Sequence, residues 1–329
     1  MCANCELALR SVASARRASP ICSPVVNSPS ARARELLRGA FDTHMHIAPD
    51  VVERTVDDIT LARRFRQLGM DGFVLKSHYG STAERAAVVR AAVPGVGVLG
   101  AISLNRAVGG MNPLAVEIAA REGARTVWLP TVDAVNESHE REAPLGAKVP
   151  VWVKLQLELR EQGLEVPPVP VVDDSGAVLP ETRAVLEMVA RHGMVLATGH
   201  LSRDEIFAVV EAGGEEGVRE IVVTHPEFPS QNLSVEDQHA LAERGVLLER
   251  CFTTPHTGKV PWERWLGNIR ETGPENSVLS TDLGQVFNPA VEDGMALMVD
   301  RLLQAGFDEE EVHVMAVVNT RRVAGAAPL

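Results

Sequence analysis

The feature that most restricts how this chain folds is a repeat of form rather than of sequence. A short apolar run, a polar turn, a stretch of helical period and a glycine recur from residue 39 onward. The apolar runs fall at 40–46, 71–77, 96–104, 124–130, 194–200, 220–225, 245–251 and 277–282. Runs this short and this apolar suit the strands of a parallel sheet covered on both faces. Strands alternating with helices leave two architectures, a doubly wound sheet or a closed barrel. Eight units over about 290 residues favour the (β/α)8 TIM barrel.

Helix boundaries carry their own signals. Ser81-x-x-Glu84 and Ser202-x-x-Glu205 fit the capping box, and Thr55-x-x-Asp58 is a looser variant. Asn112-Pro113 places a cap residue before a proline at the first helical position. Gly69, Gly123, Gly193, Gly245 and Gly306 stand where a left-handed residue ends a helix. One segment breaks the rhythm, with about 60 residues between the fourth and fifth strands where other links have roughly 20. Residues 151–158 alternate apolar and polar, and 171–179 read as a hairpin about Ser175-Gly176. The expectation is a β insertion over 132–180, either a lip over the barrel mouth or a packing element.

Composition bounds the partners. A net charge of −12 argues against a general nucleic-acid binder, whose footprint is a basic face. No apolar run reaches the length needed to span a bilayer. Residues 1–38 form the expected flexible extension, and 39–329 the barrel. Residues 1–40 hold six Arg against two Glu, so the rest of the chain carries −16. The four cysteines include one C-x-x-C, Cys2 and Cys5, with no second pair at zinc-finger spacing. Reduced thiols and a cytoplasmic location follow as the default. The expected partner is a small-molecule substrate, and the expected assembly a homo-oligomer.

In such a barrel the chemistry sits where the strands end. The first run ends Asp42-Thr43-His44-Met45-His46, and period two places Asp42, His44 and His46 on one side. The second ends Lys76-Ser77-His78, the third Asn105, the fifth Gly199-His200, the sixth His225-Pro226-Glu227, the seventh Glu249-Arg250 and the eighth Thr281-Asp282. A core does not gather ionisable groups at one end without a reason, because each is costly to bury unpaired. Imidazole and carboxylate are ligands for zinc, manganese or iron(II).

These residues resemble the amidohydrolase superfamily, whose pattern is H-x-H on strand one, His on strands five and six, and Asp on strand eight. Here the pattern falls on His44, His46, His200, His225 and Asp282. The stretches 74–82, 196–202, 223–228 and 279–285 are similar to an amidohydrolase-like group of unknown function. The resemblance spans about residues 39–325. It implies a metal-dependent hydrolase acting on a small amide, lactam, cyclic imide, lactone or ester. A divalent ion, zinc first, with manganese or iron(II) as alternatives, would bind as one ion or two. Strand four lacks the lysine or glutamate that bridges two metals in binuclear members. Lys76, if carboxylated, or Glu249 stands in for it, each with an ion pair as the alternative. Asp282, His200 and His78 are the expected catalytic groups, with His78 otherwise a ligand or substrate contact. Asn105, Arg106 and Glu227 are expected to touch substrate, and Asp42 to support its neighbours by hydrogen bonds. A decarboxylase, a phosphoesterase or a non-enzymatic metal-binding barrel remain the alternatives.

Overall fold

In the computed structural model, residues 28–142 and 151–327 are described. Eight strands form one parallel sheet in sequence order: β1 (Phe41–Met45), β2 (Gly72–Leu75), β3 (Gly97–Ser103), β4 (Ala124–Trp128), β5 (Val195–Ala197), β6 (Glu220–Val223), β7 (Leu247–Cys251) and β8 (Ser277–Ser280). Each expected run contains one of them. Past the end of β8 the chain meets β1 again: Asp282 N donates to His44 O at 2.8 Å, and His46 N to Leu283 O at 2.7 Å. Asp42 seals the lower part of this seam, accepting from Thr281 N at 3.1 Å and Thr281 Oγ1 at 2.6 Å. The sheet is thus the wall of a (β/α)8 barrel.

Two layers of apolar side chains hold the wall. Val195, Val222, Leu247, Val278 and Val323 form one interior cluster, and Val74, Ala101, Trp128 and Ala197 another. Alternate residues point outward into the helix layer, among them Phe73, Leu75, Val127, Leu196, Leu248 and Leu279. Gly72 is dictated by closeness, since a Cβ there would lie 1.9 Å from Gly97 O.

Helix ends follow the local signals in part. The glycines at 69, 123, 193, 245 and 306 all have positive φ. Ser202 and Glu205 form the capping box, and Asn112 Oδ1 accepts from Leu114 N and Ala115 N. At Asp58–Leu68, however, the cap is Asp57 rather than Thr55, and the helix Ala83–Ala92 starts after Thr82. A carboxylate one residue before the helix reaches Thr60 N at 2.8 Å, which Thr55 is too far back to do.

The segment between β4 and β5 corrects the alternation reading. Residues 151–158 belong to a helix, Val151–Glu161, that buries Val153 and Gln156. Leu, Gln, Glu, Lys and Arg are strong helix formers, and an unbroken run of them outweighs a period-two pattern of eight residues. Gln156 Nε2 anchors the helix by donating to Val132 O at 3.0 Å and Asp133 Oδ1 at 2.6 Å. Downstream, Val172 and Val178 form an antiparallel bridge across the Ser175-Gly176 turn. Toward the N-terminus, the helix Ala31–Leu36 lies inside the expected extension, yet Ala33 and Leu37 are buried in the main core. The rest of that extension, 1–27, lies outside the described residues, as do Cys2, Cys5 and Cys22. Among the described residues no helix is long and apolar enough to cross a membrane.

Candidate metal centre

β1 delivers His44 and His46 to the barrel mouth, and the turn after β8 delivers Asp282 opposite them. Asp282 Oδ1 lies 3.3 Å from His44 Nε2 and 3.3 Å from His46 Nε2. Its other oxygen accepts from Thr253 Oγ1 at 3.0 Å. One atom of each of the three residues thus falls within 4.8 Å of the others. Rings link the remaining imidazoles to them. His46 and His78 stack at 4.6 Å between centroids, His78 and His200 lie 6.2 Å apart, His200 and His225 5.0 Å, and His225 and His44 6.3 Å. His200 and His225 face the same mouth but stand outside the tightest group.

What lies behind each ring decides which nitrogen is offered. Glu249 Oε1 is 3.0 Å from His44 Nδ1 and accepts from Ser280 Oγ at 2.9 Å. A carboxylate only accepts, so Nδ1 carries the proton and the Nε2 lone pair faces the mouth. His225 Nδ1 meets Gln231 Oε1 at 3.0 Å, and His200 Nδ1 stands 3.0 Å from Glu137 Oε1. His78 Nδ1 meets Thr131 Oγ1 at 2.8 Å. Carboxylate or carbonyl partners of this kind orient metal-bound histidines. Burial keeps the His46 and His78 rings well below their ordinary pKa and lowers His225 to about 3. Neutral imidazole is the form that binds a metal. Burial opposes ionisation of Asp282 as well, but His44, His46 and Lys76 outweigh it and hold the carboxyl well below its ordinary range. Glu249 is held down to about 2 against burial, by His44, His225 and Lys76.

Two further signs point to a cation. The lone pair of His44 Nε2 is met at 2.8 Å by Lys76 Nζ, a positive group, which also stands 5.0 Å over the Trp128 ring. Burial lowers the pKa of that amine. Backbone strain is the second sign. Among the described residues, non-glycine positive φ occurs at His225 (27°), Asn232 (41°) and Asp282 (52°). Such φ values persist only where the surroundings over-determine them, and they cluster at functional sites. Gly199 (φ 63°) aims His200 in a similar way, since a Cβ there would lie 2.4 Å from Leu129 O. The donor set of imidazoles and carboxylate therefore fits a divalent ion.

Several expected roles change. Glu249 stands behind His44, on its Nδ1 side, and with His44 and Cys251 it forms a second group of possible ligand atoms within 4.8 Å of one another. Glu227 is 1% exposed and paired with Arg250, away from the mouth, so it does not reach a substrate. Period two explains the pairing: Glu249 and Cys251 point into the barrel, and Arg250 points out among the helices. Asn105 is buried with its amide spent on His78 O at 2.9 Å, Thr131 Oγ1 at 2.7 Å and Thr131 N at 2.9 Å, which fixes the His78 loop. Arg106 ties itself to the segment after β4 through Pro167 O at 2.8 Å and Pro168 O. Sequence reasoning missed Glu137, Thr131, Trp128, Gln231 and Thr253. Glu137 lies on the short 3-10 helix Val135–Glu142 and Gln231 on a turn, neither in a local motif, and only the fold brings them behind the rings.

The buried neutral imidazoles set the pH response. For His225, with a folded value of about 3 against an ordinary 6.5, the unfolded chain holds a proton that the folded chain lacks between those values. Stability is then complete above pH 6.5 and falls as the pH drops through that window. The metal-free chain should show denaturant midpoints that are level near pH 7.5 and decline from about pH 6.5 to 5. A flat profile would show that the rings are not buried neutral.

Comparison with known proteins is consistent with this architecture. Residues 39–249 match the model of a family of unknown function (DUF6282). No curated protein matches the chain. An amidohydrolase from Pseudomonas aeruginosa is 14% identical, with 89% of this chain and 99% of that chain covered at a TM-score of 0.57. A probable 2-pyrone-4,6-dicarboxylic acid hydrolase from Acinetobacter baumannii, solved with citric acid bound, is 12% identical over 87% of this chain and 99% of that one, at a TM-score of 0.53. An amidohydrolase from Burkholderia multivorans with bound zinc is 10% identical over 88% and 99%, at 0.51. At such identities the likeness shows a shared fold.

Proposed function

The chain belongs to a family of unknown function, DUF6282, and we propose that it is a metal-dependent hydrolase of a small amide, lactam, cyclic imide, lactone or ester. The observation that carries this reading is the convergence of His44 Nε2 and His46 Nε2 on Asp282 Oδ1, each at 3.3 Å. His44, His46, His200, His225 and Asp282 would hold the ion, and imidazole with carboxylate makes zinc the first choice. A divalent ion in such a site supplies an acidified water near neutral pH and polarises a carbonyl. Asp282 takes the proton of the attacking water on Oδ1 and returns it to the leaving group. Thr253 holds the other carboxylate oxygen, so the basic atom keeps its aim. His78, fixed by Thr131 and Asn105, is placed beside His46 to donate to the carbonyl oxygen as charge builds there. Lys76 marks the choice between one ion and two. A carboxylated Lys76 would offer oxygen ligands able to help hold a second ion, whereas the free amine beside His44 Nε2 would offer none. Native mass spectrometry decides by the presence or absence of an added carbon dioxide.

The test is metal analysis of the purified chain joined to a hydrolysis panel over those five bond types. Stoichiometric zinc and chelator-sensitive turnover are expected. Release of carbon dioxide or phosphate without hydrolysis would replace this reading with another reaction.

The role of Glu249 is separable. Glu249→Gln keeps the shape but lets the amide nitrogen face His44 Nδ1, and zinc affinity should fall by about 10–100-fold. Competition titration against a chelator measures it. A much larger loss would make Glu249 a ligand instead.

A further inference from the structure

We propose that Arg54 and Tyr79 form a subsite for a carboxylate, so that the substrate carries a free carboxylate beside the bond that is cleaved. This deepens the hydrolase reading and rests on it.

Arg54 lies on the loop between β1 and the helix Asp58–Leu68. That loop is laid against the segment after Asp282, with residue 54 bridging Gln285 and Thr55 N donating to Gly284 O at 3.1 Å. The arginine therefore enters the mouth on the His46 and Asp282 side. Its side chain is only 7% exposed. A guanidinium so buried needs partners, and it has one, Asp50. Nε and Nη2 both meet the same oxygen, Asp50 Oδ2, at 2.7 and 2.6 Å. The other oxygen accepts from Val51 N at 2.7 Å. Asp50 thus holds the guanidinium from one side, and Nη1 has no hydrogen-bond partner among the described residues. Arg54 adds its positive charge to the fields that lower His46, Lys76 and His78, which places it within reach of the centre.

Tyr79 follows His78, its ring edge-on to that imidazole at 6.0 Å between centroids. Its Oη is buried and has no hydrogen-bond partner among the described residues. Asp50, Asp133 and Arg54 all act on this phenol, so the two donors share one neighbourhood, and Asp133 is already held by Arg106 N at 2.8 Å and Gln156 Nε2 at 2.6 Å. An unpaired buried hydroxyl is costly, and one at the mouth of a site is placed to bind a ligand. Arginine offers only donors, and the phenol donates readily to an anion. With Asp50 already cancelling one charge, the pair suits a carboxylate better than a phosphate dianion.

Two matched probes test this with the zinc-loaded chain: succinate monohydroxamate and its primary-amide counterpart. Both present a hydroxamate to the metal, and only the first has a carboxylate. The carboxylate probe should bind at least about tenfold tighter by calorimetry. Arg54→Met should remove that preference and leave the amide probe unchanged. Because Arg54→Met also strands Asp50, Tyr79→Phe is the second variant. It should cut the preference several-fold at unchanged Tm, since the hydroxyl holds no partner among the described residues. Equal binding of the two probes to the wild type, or full preference in both variants, would overturn the subsite. If the wild type retains no zinc, the hydrolase reading fails first and the subsite with it.

Discussion

Asp282→Asn should lower kcat/KM by about 10³-fold or more while the chain still folds and unfolds cooperatively. That loss corresponds to roughly 4 kcal/mol of transition-state stabilisation. The substitution is nearly isosteric, and asparagine tolerates the left-handed φ of 52° better than most residues. The hydrogen bond from Thr253 Oγ1 can persist on the amide oxygen. What disappears is the proton acceptor between His44 and His46. Because His44, His46 and Lys76 hold this carboxyl well below its ordinary pKa, it is an ionised base at any working pH. The zinc content of the same sample separates two causes. Low activity with zinc retained is loss of the base, and low activity with zinc lost is loss of a ligand. Turnover unchanged with zinc in place would remove Asp282 from the reaction.

The strands and the inward residues of this fold were legible because both obey period two. Short apolar runs gave the eight strands, and their alternation put His44, His46, Lys76, Glu249 and Asp282 inside. The same rule also holds the correction for Glu227, since Arg250 next to an inward Glu249 has to face outward and needs an acid there. The misread segment failed for a different reason. Residues 151–158 satisfy two periods at once, and helix propensity decides between them. The partners of the rings were illegible in principle. Glu137 reaches His200 from 63 positions upstream, and Glu249 reaches His44 from 205 positions away. No local pattern encodes a contact that exists only after the barrel has closed.

The outward half of β7 yields the largest expected effect on stability. Arg250 is fully buried and spends its guanidinium on Glu227, on Gln238 Oε1 at 2.7 Å, on Thr272 Oγ1 at 2.8 Å and on Ser277 Oγ at 3.1 Å. Asn268 Nδ2 gives Glu227 only one further bond, at 3.3 Å. Arg250→Met strands an ionised carboxylate in an apolar layer, and breaking such a pair costs about 3–5 kcal/mol. In a chain of this size that is a fall in Tm of roughly 5–15 °C. Arg250→Met combined with Glu227→Leu removes both charges and should recover much of the loss, because well-packed apolar replacements of a buried pair are often close to neutral. Zinc affinity should stay at the wild-type value in both variants, since Arg250 and Glu227 lie on the far side of the wall from His44. Thermal unfolding and metal titration on the same samples check both halves. A Tm unchanged in the single variant would mean that the pair contributes nothing. Zinc affinity falling with Tm in both would instead make the outer wall part of the metal centre, and the separation of the two faces of β7 would not stand.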